Sequence, residues 1–454
     1  MKITVLNGSP KGKNSITLQT VNYLSLLYPE HEFDIFHVGQ MIGVYEKDPA
    51  MVFDSLKSAD LILFSYPVYT FIAPSQLHRF IHLMKNSDLD LTGKYATQFT
   101  TSKHFYDITA HNYIQENCQD MGIKFIKGLS ADMDDLTVKS GQKDAEEFLK
   151  YVSWCVKNDV YDTTPVSFDA RSDHDYKSSI ADVPAHRSHS DKRDVVIVTD
   201  CTEENVSLTS MIQRFQAVLP VCSRIVNIRE FPFRGGCIGC FNCAATGKCI
   251  YKDEFDEFLR SNIQTGDAIV YACSIEDHSM GWLFKQYDDR QFCNGHRTVT
   301  MGKPFGYLID GDYSREFNLR TIVEGRAEVG GNFLAGVASN EKDVNAQIDA
   351  LAARLTYALK HHYVQPSNFY GVGGMKIFRD LIYLMQGLMR ADHKFYKEHG
   401  QYDFPQKKKG TLVGMYVVGA MMNSPKIKKK IGGKMTEGML MPYQKVLNDV
   451  KKKQ

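Results

Sequence analysis

Four cysteines stand within thirteen residues, Cys237, Cys240, Cys243 and Cys249, spaced C-x2-C-x2-C-x5-C. Thiolates at this spacing can converge on one compact soft-ligand site, and Gly239 and Gly247 let the backbone fold tightly enough to present them. Three readings stand side by side: an iron–sulfur cluster, zinc, or metal-free thiols. A [4Fe–4S] cluster requires four thiolates on a small loop, which this run supplies. It departs from the ferredoxin run, because Cys249 follows five residues and precedes Ile250 rather than proline. A structural zinc site usually takes two separate C-x2-C pairs from opposite sides, so three cysteines in seven residues suit a cubane better. Phe231, Phe233, Ile238 and Phe241 offer an apolar shell. His278 and His296 read as surface or core histidines rather than ligands. The other six cysteines (Cys118, Cys155, Cys201, Cys222, Cys273, Cys293) are scattered, and in a reducing compartment they read as buried thiols rather than disulfides.

A second chemical signal opens the chain. Asn7-Gly-Ser-Pro-Lys-Gly-Lys-Asn-Ser-Ile-Thr17 follows a strand and starts a helix. Exposed N–H groups at a helix N-terminus, small hydroxyls and two lysines favour a phosphate. The bland reading is a tight turn with Asn14 or Ser15 as the helix cap. Farther on, Ser65-Tyr-Pro-Val-Tyr-Thr-Phe-Ile-Ala-Pro-Ser75 leaves a buried strand with Tyr69 and Phe71 beside Pro67. In a doubly wound sheet the first and third strand loops face each other at the carboxyl edge, where ligands bind. A phosphate cradle facing an aromatic wall suits a flat ring carrying one phosphate, so flavin mononucleotide fits better than a dinucleotide, and no G-x-G-x-x-G is present. Tyr69 and Phe71 closing the core is the alternative. Thr100-Thr101-Ser102, ending the fourth strand, is the third contributor.

The elements that must position these residues come in two sets. Lys2 to Asn7, Glu32 to Phe36, Asp60 to Ser65, Tyr95 to Thr100 and Gly122 to Ile126 read as strands, with helical periodicity between them, as at Leu77, Phe80, Ile81 and Met84. Five short apolar strands separated by helices predict a parallel sheet covered on both faces. Residues 161–193 read as a polar linker. The plan then restarts: Val195 to Thr199 repeats Ile3 to Asn7 at an offset of 192, and Asp267 to Cys273 repeats Asp60 to Tyr66 at 207. Further strands are expected at Pro304 to Ile309 and Phe333 to Ala338. The expected organisation is 1–160, a first flavin-type domain; 161–193, the linker; 194–362, a second copy carrying the cysteine loop; and 363–454, a helical, lysine-rich extension. In that extension Ile377, Leu381, Leu384, Met385 and Leu388 form one stripe, and Lys426 to Lys434 reads as a solvated basic face in preference to a membrane-surface segment.

With 454 residues, 43% hydrophobic and 24% charged, the composition is that of a soluble multidomain protein. A net charge of +1 gives no reason to expect a nucleic-acid partner. The start reads as a strand rather than a signal peptide, and the longest apolar runs are too short to span a bilayer, so a cytoplasmic protein without a transmembrane segment is expected.

Gly8 to Thr17 together with Tyr66 to Leu77 resembles the flavodoxin-like NAD(P)H-dependent FMN reductase superfamily, and the cysteine loop resembles its iron–sulfur flavoprotein branch. The resemblance implies two tandem flavodoxin-like, doubly wound, five-stranded parallel sheets plus the helical extension. By position, it implies that Ser9, Lys11, Asn14, Ser15 and Ile16 hold the FMN phosphate. Pro67, Val68, Tyr69, Thr70 and Phe71 would flank the isoalloxazine, with Thr101 and Ser102 beside them. It implies a nicotinamide or ferredoxin-like electron donor, NAD(P)H as co-substrate, a small-molecule or protein acceptor, and electron exchange between FMN and a [4Fe–4S] cluster. A homodimer is compatible with it. Hydride transfer to a flavin needs no protein acid or base, so no catalytic side chain is named. A non-enzymatic electron carrier or redox sensor, and a plain FMN or quinone reductase without a cluster, are the alternatives.

The second copy departs from this pattern. Its first loop, Thr199 to Thr209, carries Asp200, Glu203 and Glu204 where a phosphate needs positive potential. Its third-strand exit lacks the proline and tyrosine. Lys285-x-x-x-Asp289-Arg290 nevertheless resembles the family's following helix. A kept fold with a lost flavin site is the expectation, with the tandem mimicking a dimer in one chain.

Overall fold

The computed structural model describes residues 1–162, 176–177 and 191–422. Eleven strands form two parallel sheets. The first contains β1 (Lys2–Asn7), β2 (Glu32–Phe36), β3 (Leu61–Pro67), β4 (Tyr95–Ser102), β5 (Lys124–Phe125) and β6 (Leu129–Asp132). The second contains β7 (Asp191–Thr199), β8 (Val221–Asn227), β9 (Ala268–Ser274), β10 (Pro304–Asp310) and β11 (Phe333–Ser339). Their orders are β2-β1-β3-β4-β5 and β8-β7-β9-β10-β11, one order used twice. Central strands are buried on both faces, which is why they read as unbroken apolar runs: Ile3, Val5, Ile62, Phe64, Val195, Ile197, Val270 and Leu308 are all sealed from solvent. Both sheets belong to one compact unit, Met1–Phe395, and the residues from Tyr396 onward group separately.

Three sequence readings are refined. The strand expected at Gly122 to Ile126 shortens to β5, and an unanticipated β6 follows it; both pair with β4, so the first sheet has six strands rather than five. The break falls at Gly128, where a Cβ would collide with the carbonyl and side chain of Gln98. Strand β8 was not anticipated; it is an edge strand whose residues are mostly half-exposed, so its pattern is weak. The helical stripe of the extension also divides. Helix Phe369–Leu384 ends before Met385, and Leu384 and Leu388 face solvent. Ile377, Phe378 and Leu381 instead face the interior cleft, because Phe378 stacks on Phe105 at 4.4 Å. Most of the expected linker lies outside the described residues. At its edges Asp162 pairs with Phe125, and the Tyr176 hydroxyl donates to Asn345 at 2.5 Å.

The two repeats meet along helices Ser75–Lys85 and Gly281–Arg290, which correspond to each other at the 207-residue offset and pack together. That contact brings the carboxyl edge of the first sheet against the cysteine loop of the second repeat.

Candidate flavin and cysteine cleft

The loop after β1 is organised by its own polar groups. Buried Asn7 donates from Nδ2 to the Gly12 carbonyl at 2.9 Å and accepts the Ser9 amide at Oδ1. The Ser9 hydroxyl accepts the Lys11 amide at 3.3 Å. Gly12 adopts φ +54°, which turns the chain through a single 3-10 turn to Ser15. Ser15 caps helix Ile16–Leu27 by accepting the Leu18 amide. The Ile16 and Thr17 N–H groups of that helix's first turn remain for an anion. Ser9, Lys11, Ser15, Ile16 and Thr17 line a cavity of about 210 Å³. Asn14 is exposed and does not line it.

The facing wall is a strained turn beyond β3. Tyr69 and Ile72 exchange backbone hydrogen bonds of 2.8 and 3.1 Å, and Thr70 and Phe71 hold φ of +42° and +75°. Positive φ at two non-glycine residues marks backbone held in place by its surroundings. The second repeat keeps this turn at Glu276–Ser279, with Asp277 and His278 at +34° and +60°, although the residue types differ. Pro67, Val68, Tyr69, Thr70, Thr101 and Ser102 line the cavity. Phe71 lies behind it, packed against Phe105 and Tyr106 with the Arg326 guanidinium 5.3 Å from its ring centre. Its bulk supports the turn instead of facing a ligand.

The third side is the cysteine loop. Cys237, Cys240, Cys243 and Cys249 all line the same cavity, as does the unanticipated Cys293. Close approach depends on two glycines. A Cβ at Gly236 would collide with Ser75 and reach within 2.8 Å of Gln76 Nε2, and one at Gly239 would collide with the Tyr69 hydroxyl. Gln76 donates to the Cys237 carbonyl at 3.3 Å, and the Gly239 amide donates to Cys237 Sγ at 3.4 Å. Burial pushes the Cys237 thiol up to about 12 and Cys243 up to about 11, and raises Cys249. Thiols in this setting become thiolates through a metal, not through the protein alone. A single zinc ion would hold its sulfurs about 3.8 Å apart. Among the described residues, no three of these sulfurs lie within 4.8 Å of one another. The four cysteines stand beside Ile238, Ile250 and Phe292, which give the donor set an apolar wall. Cys118, Cys155 and Cys273 are buried as expected, whereas Cys222 is exposed and Cys201 half-exposed.

A larger neighbouring cavity of about 390 Å³ is rimmed by Asp132, Asp135, Asp144 and Glu147. Those carboxylates oppose a phosphate, and no cysteine lines this cavity.

Residues 1–114 match the family model described as NADPH-dependent FMN reductase. That span is about a quarter of the chain. The chain is a flavin oxidoreductase. It is 26% identical over 179 residues to the iron-sulfur flavoprotein of Archaeoglobus fulgidus, covering 36% of this chain and 78% of that protein. It is 35% identical over 54 residues to an iron-sulfur flavoprotein of Clostridioides difficile, covering 12% of this chain and 24% of the other. Among solved structures, an apo NADH:FMN oxidoreductase (EMOB) aligns at 17% identity and a TM-score of 0.30, over 36% of this chain and 91% of its own.

The seam between this reductase repeat and the second repeat is built of buried polar pairs. Lys285 donates to the Tyr69 carbonyl at 2.8 Å and pairs with Asp289, which accepts the Ser75 amide at 2.8 Å. At the position that corresponds to Lys285, the reductase repeat has His78, which meets Asp277 at 3.2 Å. Asp277 also accepts from the Tyr113 hydroxyl at 2.8 Å. The second repeat's own first loop is occupied from within. Asn205 accepts from Thr202, and Asn340 donates to Ser207. Burial pushes Asp200 up to about 6, with the Glu276 charge nearby adding to the rise. A phosphate there would meet carboxylates.

His278 bridges the repeats between Asp120 at 3.0 Å and Glu316 at 3.1 Å. Burial lowers its pKa, but the hydrogen bonds to Asp120 and Glu316 outweigh this and raise it to about 10. A proton held more tightly in the folded chain contributes stability in full below the ordinary value of 6.5, and that stability is lost as pH rises towards about 10. The unfolding free energy from urea titrations should therefore fall across that window by about 2–3 kcal/mol, less than the full shift because Asp120 is partly solvated. His278→Gln should flatten the slope; an unchanged slope would locate the loss elsewhere.

Proposed function

We propose that this chain is an FMN-dependent oxidoreductase that carries electrons between NAD(P)H or a protein donor and an acceptor. In this reading Ser9, Lys11, Ser15, Ile16, Pro67 to Thr70, Thr101 and Ser102 hold FMN, with Asn14 and Phe71 supporting the two loops from outside the cavity. Cys237, Cys240, Cys243 and Cys249 hold a [4Fe–4S] cluster. One observation carries it: the cradle, the aromatic turn and all four cysteines line one cavity, although they come from two repeats. Bound there, FMN supplies interchange between two-electron and one-electron chemistry and the cluster supplies one-electron capacity.

The chain's own residues do the rest. Lys11 and the N-terminus of helix Ile16–Leu27 balance a phosphate dianion. Lys285 fixes the Tyr69 carbonyl and thereby the strained turn. Phe105, Ile377, Phe378 and Leu381 exclude water from the cleft, which strengthens electrostatic interactions inside it. Asp289 also lines the cleft, and burial raises its pKa despite the Lys285 ammonium beside it.

Anaerobic purification with FMN, iron, sulfide and zinc quantified per chain tests this. About four iron and four sulfide with one FMN is the expected content. Cys240→Ser and Cys243→Ser should abolish iron and sulfide while FMN is retained. FMN without iron or sulfide in anaerobic wild-type material would reduce the function to a plain flavin reductase, and zinc at one per chain would overturn the cluster.

A further inference from the structure

Helix Asp107–Asp120 of the first repeat ends beside the Glu276–Ser279 turn of the second. At the 207-residue offset that turn corresponds to the one running from Tyr69 to Ile72, and His278 stands where Phe71 stands. Its imidazole is carried on backbone held at φ +60°, and both ring nitrogens face carboxylates. Nδ1 meets Glu316 at 3.1 Å and Nε2 meets Asp120 at 3.0 Å. Glu316 immediately precedes helix Phe317–Gly330, and Glu116 lies one turn before Asp120 on its own helix. One oxygen of Glu116, one of Glu316 and a ring nitrogen of His278 all lie within 4.8 Å of one another, the one such group among the described residues. Glu116 Oε2 is sealed from solvent and has no hydrogen-bond partner. A buried carboxylate oxygen with neither water nor a donor is costly unless a cation faces it. The nearby Lys85 is engaged elsewhere, by Asp120 at 2.5 Å and Asn117 at 3.0 Å.

We propose that Glu116, His278 and Glu316 hold a divalent transition-metal ion that clasps the two repeats together. The donors set its class: one imidazole nitrogen and two carboxylate oxygens suit zinc or manganese rather than a soft ion that needs thiolate. Two carboxylates also balance the charge of a dication. Ligand bonds of about 2.0–2.2 Å around zinc hold donors about 3.4 Å apart, close to the 3.1 Å between His278 and Glu316. Asp120 is then a positioning residue: it accepts the Nε2–H and so fixes the tautomer that presents Nδ1 to the ion. None of these four residues lines the cysteine cleft, so the proposal is independent of the cofactors there. Proton and cation compete for Nδ1, and the pH dependence of stability that His278 confers belongs to the metal-free chain.

Manganese(II) added to the chelator-treated full chain is the probe, because its electron paramagnetic resonance signal falls on binding and thiolates are poor ligands for it. One ion per chain, with a rise in the thermal midpoint, is the expected result. Glu116→Gln should weaken binding at least tenfold and remove the rise. Since Glu116 Oε2 has no partner to lose, this variant should fold, and an unchanged flavin spectrum would report it. Asp120→Asn should weaken binding by about tenfold to a hundredfold. No binding by the wild-type chain would overturn the proposal. So would equal binding by wild type and Glu116→Gln, which would put the ion elsewhere, as on the carboxylates that rim the larger cavity.

Discussion

Replacing Lys285 with methionine should cost about 3–5 kcal/mol of stability, the penalty for leaving a buried charge without its partner. Lys285 and Asp289 are both almost completely buried, and Asp289 sits at the seam where the Ser75 amide also points at it. The same substitution removes the donor to the Tyr69 carbonyl, an additional loss of about 1–3 kcal/mol if that oxygen stays dry. The turn that carries Tyr69 and Thr70 would lose a restraint at a place where φ is already strained, so FMN affinity should fall with stability. Urea unfolding and FMN titration measure the two effects. The Lys285→Met/Asp289→Asn pair separates charge from packing: with no uncompensated carboxylate, most of the stability should return. Equal losses in the single and double variants would show that the methylene stem of Lys285, and not its charge, holds the seam.

Gly239→Ala should disable the cleft through space rather than charge. Gly239 has φ +62°, where a Cβ costs about 1–2 kcal/mol. The added methyl would also lie 2.9 Å from Tyr69 Cζ and closer still to its hydroxyl. Tyr69 cannot retreat cheaply, because the turn behind it is held by Ile72 and Lys285. We expect about 3 kcal/mol or more of destabilisation, with iron content and FMN occupancy falling together. Gly302→Ala is the control: its φ is +86°, but nothing lies within 4 Å, so only the conformational cost applies. Tyr69→Phe in the Gly239→Ala background removes the hydroxyl and should restore part of the loss. If both alanine variants behaved alike, the close approach of the two loops would not matter for assembly.

Much of this architecture is written locally. Strands such as Val195 to Thr199 are recognisable because both faces are buried, and burial on two faces requires uninterrupted apolar residues. The loop after β1 is recognisable because Asn7, Ser9, Gly12 and Ser15 organise it through bonds spanning at most five residues. Edge elements are harder: β8 has little apolar pattern to follow, and the split of the last strand depends on Gly128 passing against Gln98, a contact between distant positions. Within the cleft, Asn14 and Phe71 sit at the right places along the chain yet face elsewhere. Cys293 and Phe378 line the cleft with no motif to announce them, and Asp289 and Leu381, legible as parts of a helix motif and an apolar stripe, line it without any sign of that in the sequence.

By itself, then, the sequence determined the doubled parallel fold, the capped glycine loop after β1, the close run of four cysteines and the acidic character of the second repeat's first loop. Each of these depends on residue type and short spacing. Only the tertiary structure decided that the cysteine loop closes over the first repeat's cleft and that Ile377, Phe378 and Leu381 of the extension supply a wall of it. These outcomes follow from the packing of helix Ser75–Lys85 on Gly281–Arg290 and from which faces find a neighbour. They are set by pairs of residues more than two hundred positions apart, such as Lys285 with Tyr69 and Phe378 with Phe105, and periodicity along one segment carries no record of its partner.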